Sequence, residues 1–484
     1  MSTFNHSDLS ADLKTAEAAV QTHSSAFKKE LGIVDLLFAH ILFMMNPQLV
    51  GTAGKLGDTH FVFWALTIIF FFIPLVKVVS YLNRLLALEG GLYQWVKFSF
   101  NEKLGFLVAW NIWFCIVLSV SQIGLYISSF LAYSFASFSW ISESKLFLIF
   151  ANSLAITILI IISIIGFKIG KWLHNLSGMI NILIFLALIS LPLINISAGN
   201  LATYKTPTIT LPTLSLLSIN IFSKMAFTAF CGFEYISIFA GECRNPRNIS
   251  RAALFSIPIV VTFYILGTHS LLNFVKPDDI DLLGVIPQAF SLGTQNFGIA
   301  KLVTSVCCLG LSIGLIAIGN LSFNGNARLP MVAGWDKLVP DWVTKLHPKY
   351  KTPIYSILFV GAVTLTMAIA STIGVGNQEA YQLLQSAGGV CYGLAYLVMF
   401  AIPIWGYKKL GSHPSISLRL ASLSGFIVTL LYIILSVFPI IEVASWKLFA
   451  AKIILTIFII NLLGSLIVLF AKSSTALHNI SKRP

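Results

Sequence analysis

The sequence predicts an all-α integral membrane protein with twelve transmembrane helices, on three observations. Of its 484 residues, 57% are hydrophobic and only 10% are charged, whereas a soluble domain carries about 25% charged residues. Apolar runs of membrane-spanning length recur from Leu31 to Phe470 with mostly short connections. Lys and Arg are divided unevenly between the two alternating sets of connections. Together these exclude a soluble enzyme on a single anchor. They also exclude an outer-membrane barrel, whose strands alternate over about ten residues. The net charge of +13 is spread thinly through the connections, so it is not a nucleic-acid signal.

Residues 1–29 are polar and lack a short apolar core followed by a cleavage site, so they read as a tail rather than a signal peptide. Spans are then predicted at 31–54, 59–82, 104–133, 145–167, 173–196, 214–241, 251–275, 298–323, 353–374, 380–405, 416–440 and 447–470. With the first residue inside, the tails and inner connections hold 22 of the 31 Lys and Arg, and the outer ones hold seven. Lys77 and Lys224 lie within spans. Both termini are therefore expected on the cytoplasmic face. Trp95, Trp140, Trp172, Trp342 and Trp446 sit at span ends, where interfacial anchors are expected. Residues 324–352 are expected to form a long inner loop with a short helix. Residues 276–297, with Asp278, Asp279 and Asp281, are either a solvated connector or a cover over an entrance. The six cysteines make no CxxC pair. They read as small buried hydrophobes rather than metal ligands or disulfides.

Two spans carry interruptions. The first contains Met44-Met45-Asn46-Pro47-Gln48, and Pro47 removes a backbone donor and clashes with the preceding turn. The sixth contains Phe230-Cys231-Gly232-Phe233-Glu234, a weak helix former beside a carboxylate at membrane depth. Each is followed in the next span by a proline, Pro74 and Pro258, 27 residues after Pro47 and 26 after Gly232. Two halves, each opening with a broken helix, point to an inverted repeat with a midplane site between the breaks.

Three segments carry a resemblance. One is Leu88-Glu89-Gly90-Gly91-Leu92-Tyr93-Gln94-Trp95. Another is Gly232-Phe233-Glu234 followed by Gly241-Glu242 and Asn245-Pro246-Arg247. The third runs from Ala327-Arg328-Leu329-Pro330 through Asp336, Leu338 and Pro340 to Lys345-Leu346-His347-Pro348 and Thr352-Pro353. In this order among twelve spans they resemble the amino acid–polyamine–organocation (APC) superfamily of permeases, over roughly residues 30 to 470. The resemblance implies a LeuT-like core of two inverted five-helix repeats at 30–196 and 197–405. Two additional helices would follow at 406–471, with a second tail at 472–484. It implies a secondary transporter that moves amino acids or related amines by alternating access, as proton-coupled uptake or exchange. An amine- or polyamine-specific antiporter and a substrate-sensing transceptor are the alternatives on the same scaffold. No cofactor is implied beyond a coupling proton, with sodium left open. Small-molecule substrate and membrane lipid are the implied partners, and a bacterial inner membrane fits.

The sequence departs from its relatives at two points. Many of them place a Gly-Ser-Gly-like stretch in the first break, where backbone N–H groups hold the substrate carboxylate. Here the region reads Met45-Asn46-Pro47-Gln48. Some proton-coupled relatives carry a fifth-span lysine in place of a sodium ion, and that position falls at or near Phe185 here.

The candidate substrate-binding residues are Met45, Asn46, Gln48, Thr228, Phe230, Cys231, Gly232 and Phe233, with Ser312 and Ser386 from the eighth and tenth spans. Glu234, Lys224 and Phe227 are the candidates for coupling and gating. Glu234 is either a titrating gate or a carboxyl held by neighbouring helices. Lys224 either snorkels or pairs, or draws a substrate carboxylate and so offsets the donor lost at Pro47. Lys77 is expected to snorkel or to pair with Asp35 or Glu234. Glu89, Gly90, Gly91, Glu242, Asn245, Arg247, Arg328 and Asp336 read as inner-gate or loop-locking groups. His40 and His269 are proton-relay candidates or packing residues. No HExxH or GxxxxGK[ST] motif is present, so neither an enzyme nor a primary pump is expected.

Overall fold

A computed structural model describes residues 29–86, 91–135, 140–141, 144–201, 209–245, 247–332 and 341–481. Among the described residues, eleven helices are long and apolar enough to cross a membrane, from Ile33–Gly54 to Trp446–Phe470. They coincide with every predicted span except the sixth. That span is a 15-residue helix, Leu216–Phe230, then a break, then a 3-10 segment, Tyr235–Glu242.

Both breaks have local causes. A residue before proline is pushed out of the helical region, and Asn46 is extended at φ −103°, ψ 105°. Pro47 then takes the first position of a new helix, Pro47–Gly54, where its missing N–H costs nothing. In the sixth span Cys231 is extended, and Gly232 turns the chain at φ +88°, a conformation that favours glycine. The two prolines of the following spans differ. Pro74 follows a π-turn at Ile68–Phe72, which absorbs its missing donor, whereas Pro258 lies inside a continuous helix, Arg247–Leu271.

The third span, Glu102–Ser134, is the most enclosed of the eleven and packs along the tenth, Asn377–Leu410. The first span packs against the seventh, and the fifth against the eighth. The two breaks therefore sit inside a jacket of long helices.

The structure corrects two expectations and decides between the alternatives of a third. Residues 324–332 are not loop but the end of the eighth helix, Ala300–Val332. Hydropathy falls there because Asn324, Asn326 and Arg328 are polar, yet all three are buried. Arg328 donates to the carbonyl and side-chain oxygens of Asn324 at 3.0 and 3.2 Å. The expected short helix follows at Asp341–Thr344. Trp95 is fully buried, its ring N–H held by Leu86 O at 3.1 Å, and so is no interfacial anchor. Trp140, Trp172, Trp342 and Trp446 are exposed. Lys77 pairs with neither Asp35 nor Glu234; its exposed ammonium donates to Ser417 Oγ at 3.2 Å.

Candidate functional site

The first break consumes its own backbone donors. Asn46 N–H is bound by Tyr264 Oη at 3.0 Å. Pro47 has none. Gln48 N–H is bound by Asn46 Oδ1 at 3.1 Å, Leu49 N–H by Asn46 O at 3.0 Å, and Met45 N–H by Ile41 O at 2.8 Å. Tyr264 in turn donates to Met44 O. The stretch that holds a carboxylate in many relatives of the superfamily is thus closed upon itself.

A cation stands opposite. Lys224 is buried and donates from Nζ to Ser386 Oγ at 3.3 Å and Ser436 O at 3.4 Å. Among the described residues no carboxylate lies within ion-pair distance of it. Lys224 and Asn46 line one cavity of about 40 Å³ together with Thr228, Ser386, Gln382 and Tyr432. That volume holds a few water molecules at most, so the site is occluded and must widen to admit a substrate. Among the described residues no Asp or Glu lines it.

Beyond this cavity lies a vestibule of about 920 Å³ bordered by Lys145, Glu379 and Glu442. The partition between the two is thin. Leu282 and Ile440 line the cavity, while Asp281, Leu283 and Ile441 line the vestibule. Asp281 pins the partition. It accepts from Tyr133 Oη at 2.9 Å, Gln378 Nε2 at 2.5 Å and Leu283 N at 3.0 Å. The 276–297 segment therefore does lie over an entrance.

Glu234 sits on the other side of the break. It is buried and accepts from Tyr392 Oη at 2.6 Å and from Tyr396 Oη. Tyr396 Oη also accepts from Gly232 N–H at 3.0 Å. One tyrosine thus joins the carboxylate to the backbone of the break.

Of the sequence candidates, Asn46, Thr228, Lys224 and Ser386 meet at the cavity. The others lie around it. Phe227 is fully buried and stacks on Tyr432, ring centres 4.4 Å apart. Phe230 lies against Phe72 at 4.3 Å, and Phe233 meets the edge of His40 at 6.4 Å. Cys231 Sγ turns back on Thr228 O at 3.5 Å. Met45 and Gln48 are buried without lining the cavity. Ser312 bonds within its own helix, to Cys308 O at 2.7 Å, and does not reach the cavity. Phe185, at or near the position where some proton-coupled relatives carry a lysine, is fully buried and packs on Phe263 at 5.4 Å. Glu89, Gly90, Pro246, Asp336, Leu338 and Pro340 lie outside the described residues, as do the side chains of Glu242 and Arg247.

Several site residues escaped the sequence reading. Gln382 and Gln385 share one helical face with Ser386 and line the cavity. Their signal was a polar stripe within an apolar span. Tyr392 and Tyr396 are likewise four apart. Tyr432 comes from the eleventh span, which the inverted-repeat argument sets outside the core.

The amino acid permease family profile matches residues 36–459. A branched-chain amino acid permease, BcaP of Bacillus subtilis, is 25% identical over 399 residues, covering 76% of this chain and 82% of its own. An uncharacterized transporter of Legionella pneumophila is 23% identical over 392 residues, covering 78% and 81%. The crystal structure of MhsT in complex with L-phenylalanine superposes with a TM-score of 0.55 at 13% identity, covering 84% of this chain and 99% of that one. At that identity the likeness is one of fold, the LeuT type.

Proposed function

Because this chain belongs to the amino acid permease family, we propose that it is a secondary transporter of neutral amino acids in which Lys224 receives the substrate carboxylate. The observation that carries this reading is the buried Lys224 ammonium, unpaired by any described carboxylate, facing a break whose amides are already used. A buried cation without a counter-charge is costly, and a carboxylate entering the cavity supplies one. The lining offers no acid to a cationic side chain or a bare amine, which speaks against the polyamine reading. The branched-chain name of the Bacillus subtilis relative favours the neutral class. Transport would proceed by alternating access, as uptake or exchange, without enzymatic chemistry. The Lys and Arg distribution supports cytoplasmic termini and a vestibule that opens outward.

The experiment is a melting screen of the purified protein against amino acids and their decarboxylated amines, since a ligand of the folded state raises stability by mass action. Stabilisation by L-isoleucine and not by 2-methylbutylamine or putrescine is expected. Stabilisation by the amines alone would sink the proposal.

The Asp281 latch gives a second expectation. A hydrogen bond to a charged group contributes about 1.5–3 kcal/mol, so Asp281→Ala shifts the closed state toward open by roughly tenfold or more. A cysteine at the cavity (Thr52→Cys) should then react faster, by that factor, with a membrane-impermeant maleimide added from the vestibule side. An unchanged rate would mean that the partition is held elsewhere.

A further inference from the structure

A second cavity, of about 370 Å³, opens on the far side of the sixth-span break. Its wall includes Glu234, Phe233, His40, Asn83 and Arg84. At that volume, with these polar groups, it is roomy enough to hold several waters. His40 is fully buried in the first span. Its Nδ1 lies 2.9 Å from Leu36 O. A carbonyl only accepts, so Nδ1 carries the hydrogen and Nε2 carries a lone pair. That Nε2 is buried and has no hydrogen-bond partner. An unmet acceptor in a buried site costs about 1–3 kcal/mol, and packing alone does not require an imidazole there.

We infer that His40 is the proton-exchanging residue of this transporter, passing a proton between Glu234 and the solution onto which the Arg84 end of the cavity opens. The inference rests on the transport reading above but not on the identity of the substrate. The transfer balances. When the cavity widens enough for water to reach the buried Nε2, protonated Glu234 gives its proton through that water to His40 Nε2, leaving a carboxylate and an imidazolium whose Nδ1–H stays on Leu36 O. The imidazolium then gives the Nε2 proton to water at the mouth and returns to its starting tautomer.

The Tyr396 bridge ties this proton to the break. As a carboxylate, Glu234 accepts from Tyr392 and Tyr396, and Tyr396 in turn accepts Gly232 N–H. A proton on the carboxyl removes one of those acceptor sites. The clamp on Gly232 is then strong when Glu234 is charged and weak when it is neutral.

The elements packed around the pair carry other charged or titratable groups. Arg84 comes from the second span, and Arg251 from the seventh is exposed. Asp35 lies on the first span and is held by Asn175 at 2.7 Å. His174 of the fifth span bonds Asn320 at 3.2 Å, and Arg328 comes from the eighth. Tyr235 stands beside the break, its ring stacked on Phe43, and Tyr392 and Tyr396 come from the tenth span.

The test uses the full chain in liposomes with radiolabelled L-isoleucine and a trapped pH dye. Wild-type protein should accumulate isoleucine when a pH gradient, acid outside, is imposed, and the entering protons should acidify the lumen that holds the dye. His40→Gln should keep counterflow exchange, which needs no net proton movement, within about twofold. Its gradient-driven accumulation should fall by roughly a hundredfold or more, the scale of a lost proton-transfer group. Ala253→Met narrows the same cavity while leaving His40 in place, and should give the same split. Either of three results would overturn the inference. The first is wild-type accumulation indifferent to the gradient. The second is His40→Gln accumulation equal to wild type. The third is a parallel loss of counterflow and accumulation in both variants, which marks a structural role. The melting screen stands apart from all three, so a failed substrate reading is told from a failed proton reading.

Discussion

Lys224→Met should weaken isoleucine binding by roughly 30- to 150-fold, the loss of about 2–3 kcal/mol that a charge-assisted hydrogen bond to a buried carboxylate contributes. The same substitution should raise the melting temperature of the protein without ligand. Met keeps the length of the side chain and removes a buried charge that no described carboxylate balances. Lys224→Arg should retain part of the affinity, since it keeps the charge while changing its shape. Opposite signs for binding and for ligand-free stability distinguish a substrate-binding cation from a structural one. If Lys224→Met lowered the melting point and left affinity intact, the ammonium would belong to the scaffold through Ser386 and Ser436.

Gly232→Ala should be the most damaging single methyl addition at the breaks. The residue sits at φ +88°, and a left-handed conformation costs a non-glycine residue about 1–2 kcal/mol. The new Cβ would also run into the ring of Phe43 at Cε1. Phe43 has little room to yield, because its ring stacks on Tyr235 at 4.8 Å. Overpacking of this kind costs about 1–3 kcal/mol more. A markedly lower melting temperature and loss of uptake are expected, with Phe43→Ala restoring only the steric part. Full rescue by Phe43→Ala would mean that the backbone conformation at 232 is not demanding. No rescue at all would place the steric conflict elsewhere.

How much of the site could be read from the sequence follows from the kind of signal involved. Pro47 and Gly232 act on their own backbone, so both breaks were visible in the residues themselves. Lys224 and Glu234 were visible because charges are rare in apolar spans. Arg328 was visible too, but its burial was not. A polar run reads as the end of a span unless its partners are known, and Asn324 supplies them four residues back in the same helix. Trp95 misled for the mirror reason: a span-end tryptophan looks interfacial until the carbonyl that takes its N–H is seen inside the protein. Tyr264, Tyr396 and Tyr432 gave no signal, because in a chain with 13% aromatic residues a tyrosine is distinguished only by what its hydroxyl touches.

The sequence by itself determined the membrane class, the span positions, the two broken helices and the superfamily resemblance. The first three depend on composition, on periodicity and on backbone constraints that act within a few residues; the resemblance rests on three short motifs. Only the tertiary structure decided what the breaks do. It spends the first break's amides on Tyr264 and Asn46, leaves Lys224 facing a closed cavity, hangs Gly232 and Glu234 on Tyr396, and sets His40 in the wall of a second cavity. The physical reason is that hydrogen bonds and cavities join residues 150 to 220 positions apart, such as Gly232 with Tyr396 (164) and Asn46 with Tyr264 (218). No local pattern encodes which partners those will be.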